Sequence, residues 1–409
     1  MTFNPMVFGR IIAGTCITRI CIVMLFLGAV ACQKNVFREV QIPDHQLWPR
    51  PEIVPVPVEV SGVHDPVVSL NGTWKFNNNP PENFWRNDVE FDSWYDIRVP
   101  AQASFHIAGL TLRRNAPIPS YVYKKVVEIP GEFDGKRVKL RFQGVTGDAT
   151  VWVNGTEAGT HHGGFTIWNP DITDLVTPGQ EAVITVSVHE PASGQSTNTY
   201  SGGIIRGVDL IAVPENHITR FHIDSDLDNR YRDAMMNVWV AMAFGNENES
   251  AEIRLTMRDP GGEEIALSPS RLELSQGEAE RIVPIPVSNP MKWSAEHPHL
   301  YTIRADLLVN GSAVQTLERR IGFRKIEIDG QKLLVNGNEV KLRGSAQFDS
   351  HPLNGISLTR EEVIRDLTLY KEANHNHIRP SCYIANEEFL AAADSIGIYV
   401  AGEMPVTFA

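Results

Sequence analysis

Five side chains that can bind or position a ligand lie near the end of the sequence: Asp349, His351, Arg379, Cys382 and Glu403. Each stands at or near the end of a short apolar run that is typical of a buried strand. Carboxylates, an imidazole and a guanidinium at such strand ends can line a substrate site. Two plainer interpretations stay open: a carboxylate or histidine can merely order a loop, and Cys382 can be a small buried residue rather than a reactive thiol.

The local pattern predicts the elements that would bring these side chains together. Thr359 and Glu362 form a capping box in front of a helix. A second helix is predicted between Asn386, its cap, and Gly397, its end. Three short runs around these helices predict a hairpin leading into a buried strand, a second strand and a third strand: residues 332–343, 376–379 and 398–401. Alternating strands and helices indicate the opening of a parallel α/β barrel.

Other patterns argue against several kinds of site. The pairs His161/His162 and His375/His377 have no companions at metal-ligand spacing, and no glycine-rich loop joins a strand to a helix as phosphate binding requires. We therefore expect no metal and no cofactor. The Asn-Glu pairs fall in sandwich turns, in a hairpin turn and at a helix start, where cap and turn chemistry accounts for them.

Composition limits the class of protein. The 409 residues are 42% hydrophobic and 21% charged, which suits two or three globular domains. The formal net charge of −12, from 37 Lys and Arg against 49 Asp and Glu, argues against nucleic acid as a partner.

The N-terminal segment is typical of export. Arg10 and Arg19 precede a short apolar run that ends in small residues before Cys32, so residues 1–31 are predicted to be a signal peptide. We expect a bacterial lipoprotein at the periplasmic or outer-membrane surface, anchored through Cys32, with ordinary cleavage or a retained anchor as alternatives. Residues 32–66 contain six prolines and predict an extended tether.

Between tether and barrel, short alternating runs separated by Asn-Gly, Asp-Gly and Gly-Gly turns predict two β-domains. We place a jelly-roll sandwich at 67–215, an immunoglobulin-like sandwich at 216–324 and a partial (β/α)8 TIM barrel at 325–409. The fold class is thus mainly β followed by α/β. In the second sandwich, Trp293 and Tyr301 are expected in the core.

The order of motifs in the first domain carries a family resemblance. Leu70–Phe76 opens the domain, Val151–Gly155 and His161–Gly164 follow, and Gly202–Arg206 lies near its end. This succession resembles the sugar-binding N-terminal domain of family 2 glycoside hydrolases, the group of β-galactosidases, β-glucuronidases and β-mannosidases. The second sandwich is similar to that family's immunoglobulin-like domain.

The barrel segment resembles the same family most closely, over residues 342–355 and 376–384. The resemblance implies that four residues line or support the sugar site: Asp349, His351, Arg379 and Glu403. Phe348 and Cys382 stand where the family has histidines that contact sugar. Two of these contacts are therefore expected to be apolar or weakly polar here.

The resemblance also places the two catalytic carboxylates after barrel strands four and seven. Neither position lies within these 409 residues, so no residue is assigned as catalytic and no hydrolysis by this chain alone is expected. The resemblance implies a carbohydrate partner and a β-galactosidase-like activity, because 351–355 is more similar to that branch. Two alternatives are a non-catalytic surface glycan-binding protein and a split glycosidase completed by a second polypeptide.

Overall fold

The computed structural model describes residues 53–103, 120–189, 202–245, 250–381 and 383–403. The predicted signal peptide, the lipidation candidate Cys32 and the site candidate Cys382 lie outside these residues.

Alternating apolar and polar residues build the first sandwich. Its strands are β2 (Val67–Ser69), β3 (Gly72–Asn77), β4 (Tyr95–Val99), β5 (Ser120–Glu128), β6 (Arg137–Phe142), β7 (Asp148–Val153), β8 (Thr156–His162), β9 (Glu181–His189) and β10 (Val208–Val213). One antiparallel sheet has the order β4-β3-β5-β9-β7-β8, and the other has the order β2-β10-β6. Every second residue of β7 points inward, and the core contains Trp74, Phe76 and Phe142. Short 3-10 turns lie at Gly131–Phe133 and Thr173–Leu175.

The second sandwich follows without a helix in the described residues. Its strands are β1 (Glu59–Val60), β11 (His217–Leu227), β12 (Ala234–Ala243), β13 (Ser250–Arg258), β14 (Glu264–Ile265), β15 (Arg271–Ser275), β16 (Glu280–Val287), β17 (Tyr301–Val309) and β18 (Ser312–Ile321). The sheets have the orders β11-β12-β16 and β1-β18-β17-β13-β14, with β15 also paired to β13. Trp293 and Tyr301 are buried, as expected.

The described part of the predicted tether, from residue 53, lies against the sandwiches instead of hanging free. The side chain of Val54 is fully buried, and its N–H donates to Asn169 Oδ1 at 3.1 Å. Strand β1 pairs with β18, with Glu59 opposite Thr316. The prolines favour an extended backbone, as predicted, but backbone pairing and apolar burial dock that backbone onto the fold.

The last segment forms a hairpin and then an open α/β layer. Its elements are β19 (Ile326–Asp329), β20 (Lys332–Val335), β21 (Asn338–Glu339), β22 (Gly344–Gln347), α1 (Arg360–Glu372), β23 (His377–Pro380), α2 (Glu387–Ile396) and β24 (Tyr399–Val400). Strands β22, β23 and β24 are parallel neighbours in that order. They pack on the helices through Leu367, Ile378 and Phe389. The predicted partial barrel is confirmed.

Both helices begin and end as their local signals predict. Thr359 and Glu362 exchange the two hydrogen bonds of a capping box at the start of α1. The Asn386 side chain accepts the Phe389 N–H at 2.7 Å, and Gly397 ends α2 at a φ of 84°. These caps satisfy backbone groups that would otherwise be left unpaired at each helix end.

The α/β layer rests on both sandwiches. Ser357 donates to the Ile205 carbonyl at 2.9 Å, which joins the layer to the first sandwich. The Trp293 indole donates to the Asp394 carbonyl at 2.8 Å, which joins it to the second. The α/β layer is therefore tied to both sandwiches by hydrogen bonds.

Candidate functional site

The parallel register brings three of the predicted site residues to one edge of the layer. Gly344 lies opposite His377, and His377 lies opposite Tyr399. Since parallel strands in register end together, Asp349, Arg379 and Glu403 lie at the same carboxyl edge. We call this the strand-end site.

Arg379 and Glu403 form an ion pair across two strands. Arg379 Nη2 lies 2.5 Å from Glu403 Oε2; the arginine side chain is half exposed and the glutamate side chain is largely buried. Glu403 Oε2 makes no hydrogen bond of good geometry in the described residues, so the pair is held by charge, and the guanidinium can present its N–H groups to a ligand hydroxyl.

Asp349 lies beyond β22 and against Tyr383. Its N–H donates to the Tyr383 hydroxyl at 3.0 Å, and its Oδ1 is buried without a hydrogen-bond partner in the described residues. Burial raises the pKa of the Asp349 carboxyl above its usual range; contacts with Tyr383 and the charge of Arg206 oppose the rise, and Asp366 adds to it. Burial and the Asp349 charge together raise the pKa of Tyr383 strongly. Asp349 is thus a carboxyl with unused hydrogen-bonding capacity.

His351 uses both ring nitrogens within its own loop. Nδ1 accepts the Leu353 N–H at 3.3 Å, and Nε2 lies 3.0 Å from Glu362 Oε1. The proton is therefore assigned to Nε2, which donates to the capping-box carboxylate. The Gly355 and His351 backbones exchange two hydrogen bonds, which closes the turn. These contacts are those of a residue that orders a loop.

The sequence did not point to the two residues that the first sandwich adds to this site. The Arg206 guanidinium, nearly fully buried, donates to the Ile384 carbonyl at 2.5 Å and lies over the Phe165 ring. Phe165 in turn stacks on Tyr383 with ring centroids 5.6 Å apart. Arg206 ends the motif Gly202–Arg206, which carried the family resemblance, but the motif does not predict that the Arg206 side chain contacts the barrel segment.

A polar cleft of about 520 Å³ opens between the first sandwich and the α/β layer. Its walls include Arg206 and Asp349, together with Arg98, Asn354, Arg360 and Glu388. Clefts of this size with a few convergent polar groups are common ligand sites.

Metal and membrane-spanning features are not found in the part of the chain that the structure describes. No group of three or more His, Cys, Asp or Glu side chains there is arranged to hold a metal ion. No helix among the described residues is long and apolar enough to cross a bilayer.

Three sequence models of one protein family match consecutive parts of the chain. Residues 115–215 match the galactose-binding-like domain of glycosyl hydrolase 2, residues 216–324 match glycosyl hydrolases family 2, and residues 326–408 match the TIM barrel domain of that family. The chain belongs to glycosyl hydrolase family 2. In this family 2 chain the three matched ranges follow one another from residue 115 to residue 408.

Curated relatives of the family 2 chain include two kinds of glycosidase. A β-galactosidase of Halalkalibacterium halodurans is 27% identical over 366 residues, covering 82% of this chain and 35% of the relative. A β-glucuronidase of Paenibacillus borealis is 25% identical over 366 residues, covering 83% of this chain and 59% of the relative. The chain spans about a third of the length of the β-galactosidase it matches.

Solved structures of the family show the same fold. A β-glucuronidase from Ruminococcus gnavus, in complex with an N1-substituted uronic isofagomine, has a TM-score of 0.72 and 26% identity. That likeness covers 87% of this chain and 62% of the other. A Bacteroides uniformis β-glucuronidase, 24% identical, has a TM-score of 0.75 over 83% of this chain and 42% of the other, which speaks for the fold alone.

Proposed function

We propose that this chain takes part in the hydrolysis of β-glycosides and that its strand-end site binds the sugar. The observation that carries the proposal is the convergence of Asp349, Arg379 and Glu403 on one edge of the parallel strands. Sugar hydroxyls are both donors and acceptors, so they pair well with carboxylates and a guanidinium. The glycosidases among the chain's relatives support the same class of substrate.

Within that class we favour a neutral hexose of the galactoside type. Arg379 is paired with Glu403, and Arg206 faces the charge of Asp349. A uronate carboxylate would have to compete with these carboxylates for either guanidinium, which costs interaction energy. The similarity of residues 351–355 to the β-galactosidase branch points the same way.

A binding panel tests the sugar class. Isothermal titration of the 409-residue polypeptide with D-galactose, D-mannose and D-glucuronic acid should give at least tenfold tighter binding of galactose than of glucuronic acid. Tighter binding of glucuronic acid would overturn the neutral-hexose proposal. No binding of any of the three would overturn the assignment of a sugar site.

We further propose that these 409 residues by themselves bind without turnover. Retaining hydrolysis needs two carboxyl groups about 5–5.5 Å apart, and the family resemblance places both after strands that these residues do not supply. No release of nitrophenol from p-nitrophenyl β-D-galactoside is expected. Robust release would contradict this part while leaving the sugar class intact.

Two other roles remain as outcomes of the same assays. A second polypeptide that completes the barrel would co-purify with the chain and confer turnover on mixing. A surface glycan-binding role through the sandwich would show as glycan binding that Glu403→Gln leaves unchanged.

Export as a lipoprotein is a separate proposal that rests on the sequence around Cys32. Labelled palmitate should be incorporated in a bacterial host by the wild-type chain and not by Cys32→Ala. Equal labelling of both would refute lipidation at Cys32, and an unlabelled but exported wild type would favour ordinary signal cleavage.

A further inference from the structure

Arg206 is a buried cation whose direct partners are neutral. Its Nη1 donates to the Phe165 carbonyl at 3.2 Å and its Nη2 to the Ile384 carbonyl at 2.5 Å. Its side chain lies over the Phe165 ring, 5.2 Å from the centroid. Carbonyl oxygens and an aromatic face satisfy N–H groups, but they do not neutralise a charge, and an uncompensated buried charge is costly.

Asp349, in the α/β layer, lines the same cleft as Arg206 and contributes a favourable negative charge. Burial lowers the pKa of Arg206, and the nearby Asp349 carboxylate raises it again. Asp349 has a buried Oδ1 with no hydrogen-bond partner in the described residues. The charges that act on Asp349 are those of Arg206 from the first sandwich and Asp366 from α1, and the neutral Tyr383 hydroxyl, from the loop after β23, acts through a hydrogen bond.

A chain of contacts also links Arg206 to Asp349 through Tyr383 and the aromatic rings around it. Tyr383 is almost fully buried, with Phe165 stacked at 5.6 Å and Phe348 edge-on at 5.9 Å. The Tyr383 hydroxyl receives the Asp349 N–H. One sandwich ring and one barrel ring therefore fix the tyrosine to which Asp349 is bound, and Arg206 binds the carbonyl of the very next residue, Ile384.

We propose that Arg206 is a positioning residue through which the first sandwich sets the place and charge state of Asp349 in the strand-end site. The sandwich thus acts on the sugar site through Arg206 and Phe165 without needing to touch the sugar. The effect on sugar binding rests on the proposed function. The coupling between Arg206 and Asp349 is a property of the chain that can be measured without any sugar.

Three variants separate a charge effect from simple packing. Arg206→Met keeps much of the side-chain volume and removes the charge. Arg206→Lys keeps the charge but loses the forked donation to two carbonyls. Arg230→Met, in an exposed turn of the second sandwich, is the control for loss of one positive charge.

The readout is the titration of the Asp349 carboxyl by ¹³C NMR, assigned by comparison with Asp349→Asn. Arg206→Met should raise the Asp349 midpoint, because a carboxylate loses a favourable charge. Arg206→Lys should restore most of the wild-type midpoint, and Arg230→Met should leave it unchanged. A purely structural role would not be rescued by lysine.

An unchanged midpoint in a folded Arg206→Met chain would overturn the inference. If that variant does not fold, Phe165→Leu takes its place: loosening Tyr383 should then shift the Asp349 midpoint, and an unshifted midpoint overturns the inference equally. Galactose affinity should fall about tenfold or more in Arg206→Met, as expected for loss of a charge-assisted interaction. If Arg206→Met shifts the Asp349 midpoint but the wild-type chain binds no sugar, the proposed function is refuted and the coupling between Arg206 and Asp349 stands.

Discussion

Two adjacent glutamates at the start of α2 should respond in different ways to neutralisation. The Glu387 Oε2 lies 2.7 Å from Nη2 of Arg141, whose side chain is only 3% exposed in the first sandwich. Arg141 Nη1 also reaches the Val54 carbonyl at 3.4 Å. Glu387 further raises the pKa of Arg319 in the second sandwich, which burial lowers. The Glu387 carboxylate therefore pairs with the Arg141 guanidinium of the first sandwich and also stabilises the charge of Arg319 in the second.

Removing that carboxylate leaves a buried guanidinium poorly paired. Breaking a buried ion pair costs about 3–5 kcal/mol, whereas a fully exposed pair contributes about 0.2–1 kcal/mol. The Glu387 side chain is 63% exposed, so solvent screens the pair and its contribution lies between these limits. For the isosteric Glu387→Gln we expect the free energy of local unfolding of α2 to fall by about 2 kcal/mol.

Glu388→Gln is the matched control, because it removes the same charge one residue later and so disturbs the helix dipole similarly. Partial desolvation raises the pKa of Glu388; Arg360 opposes this effect, while Asp209, Glu361 and Glu387 add to it. Neutralising a carboxylate in that environment relieves repulsion. We expect Glu388→Gln to be neutral or slightly stabilising at pH 7.

Native-state hydrogen exchange of peptides spanning 387–396 measures the difference. A 2 kcal/mol loss corresponds to about 30-fold faster exchange through local opening in Glu387→Gln. High salt should shrink the effect, since the pair is partly exposed. Equal exchange in the two variants, or no change in Glu387→Gln, would refute the argument that Arg141 depends on Glu387.

Two further predictions concern stability. Burial tends to raise the pKa of Asp171, but hydrogen bonds from Thr173, Arg137 and Lys139 outweigh it and hold the pKa well below its usual range. The ionised Asp171 therefore stabilises the fold at any pH above its unfolded-state pKa, and this stabilisation is lost as the pH falls through its folded-state pKa. Asp171→Asn should therefore lower the free energy of unfolding in urea by about 2–3 kcal/mol at pH 7. The difference between variant and wild type should narrow below about pH 4. A difference that stays constant down to about pH 2 would contradict this prediction. Gly355→Ala should lower the thermal unfolding midpoint, because Gly355 has a φ of 64° and an added Cβ would lie 2.3 Å from Gln102 Oε1. An unshifted midpoint would show that the turn relaxes to accept the Cβ.

Local chemistry made part of this structure predictable. The capping box at Thr359 and Glu362, the cap at Asn386 and the left-handed end at Gly397 rest on residues a few positions apart, and each is where the pattern placed it. The parallel order of three strands followed from helix–strand alternation in the same way. These features need no knowledge of distant parts of the chain.

Contacts between domains were not predictable from such patterns. Arg206 binds a carbonyl 178 residues away, and Arg141 binds a carboxylate 246 residues away. Residues 59–60, predicted to belong to a tether, pair with β18 far along the chain. A single sequence carries no signal for which buried arginine meets which acid, because the pairing depends on how whole domains pack. The second site residue from the sandwich, Phe165, was missed for the same reason.

The dissociation constant of galactose for Glu403→Gln, compared with the wild-type chain, tests the strand-end site most directly. Glu403 lies beside Arg379 and pairs with its charge, so we expect at least tenfold weaker galactose binding in the variant, measured at a temperature at which circular dichroism shows the variant to be folded. Glu296→Gln, in an exposed turn of the second sandwich, should bind like wild type. Equal galactose affinity in Glu403→Gln and wild type would place the sugar elsewhere and contradict the account.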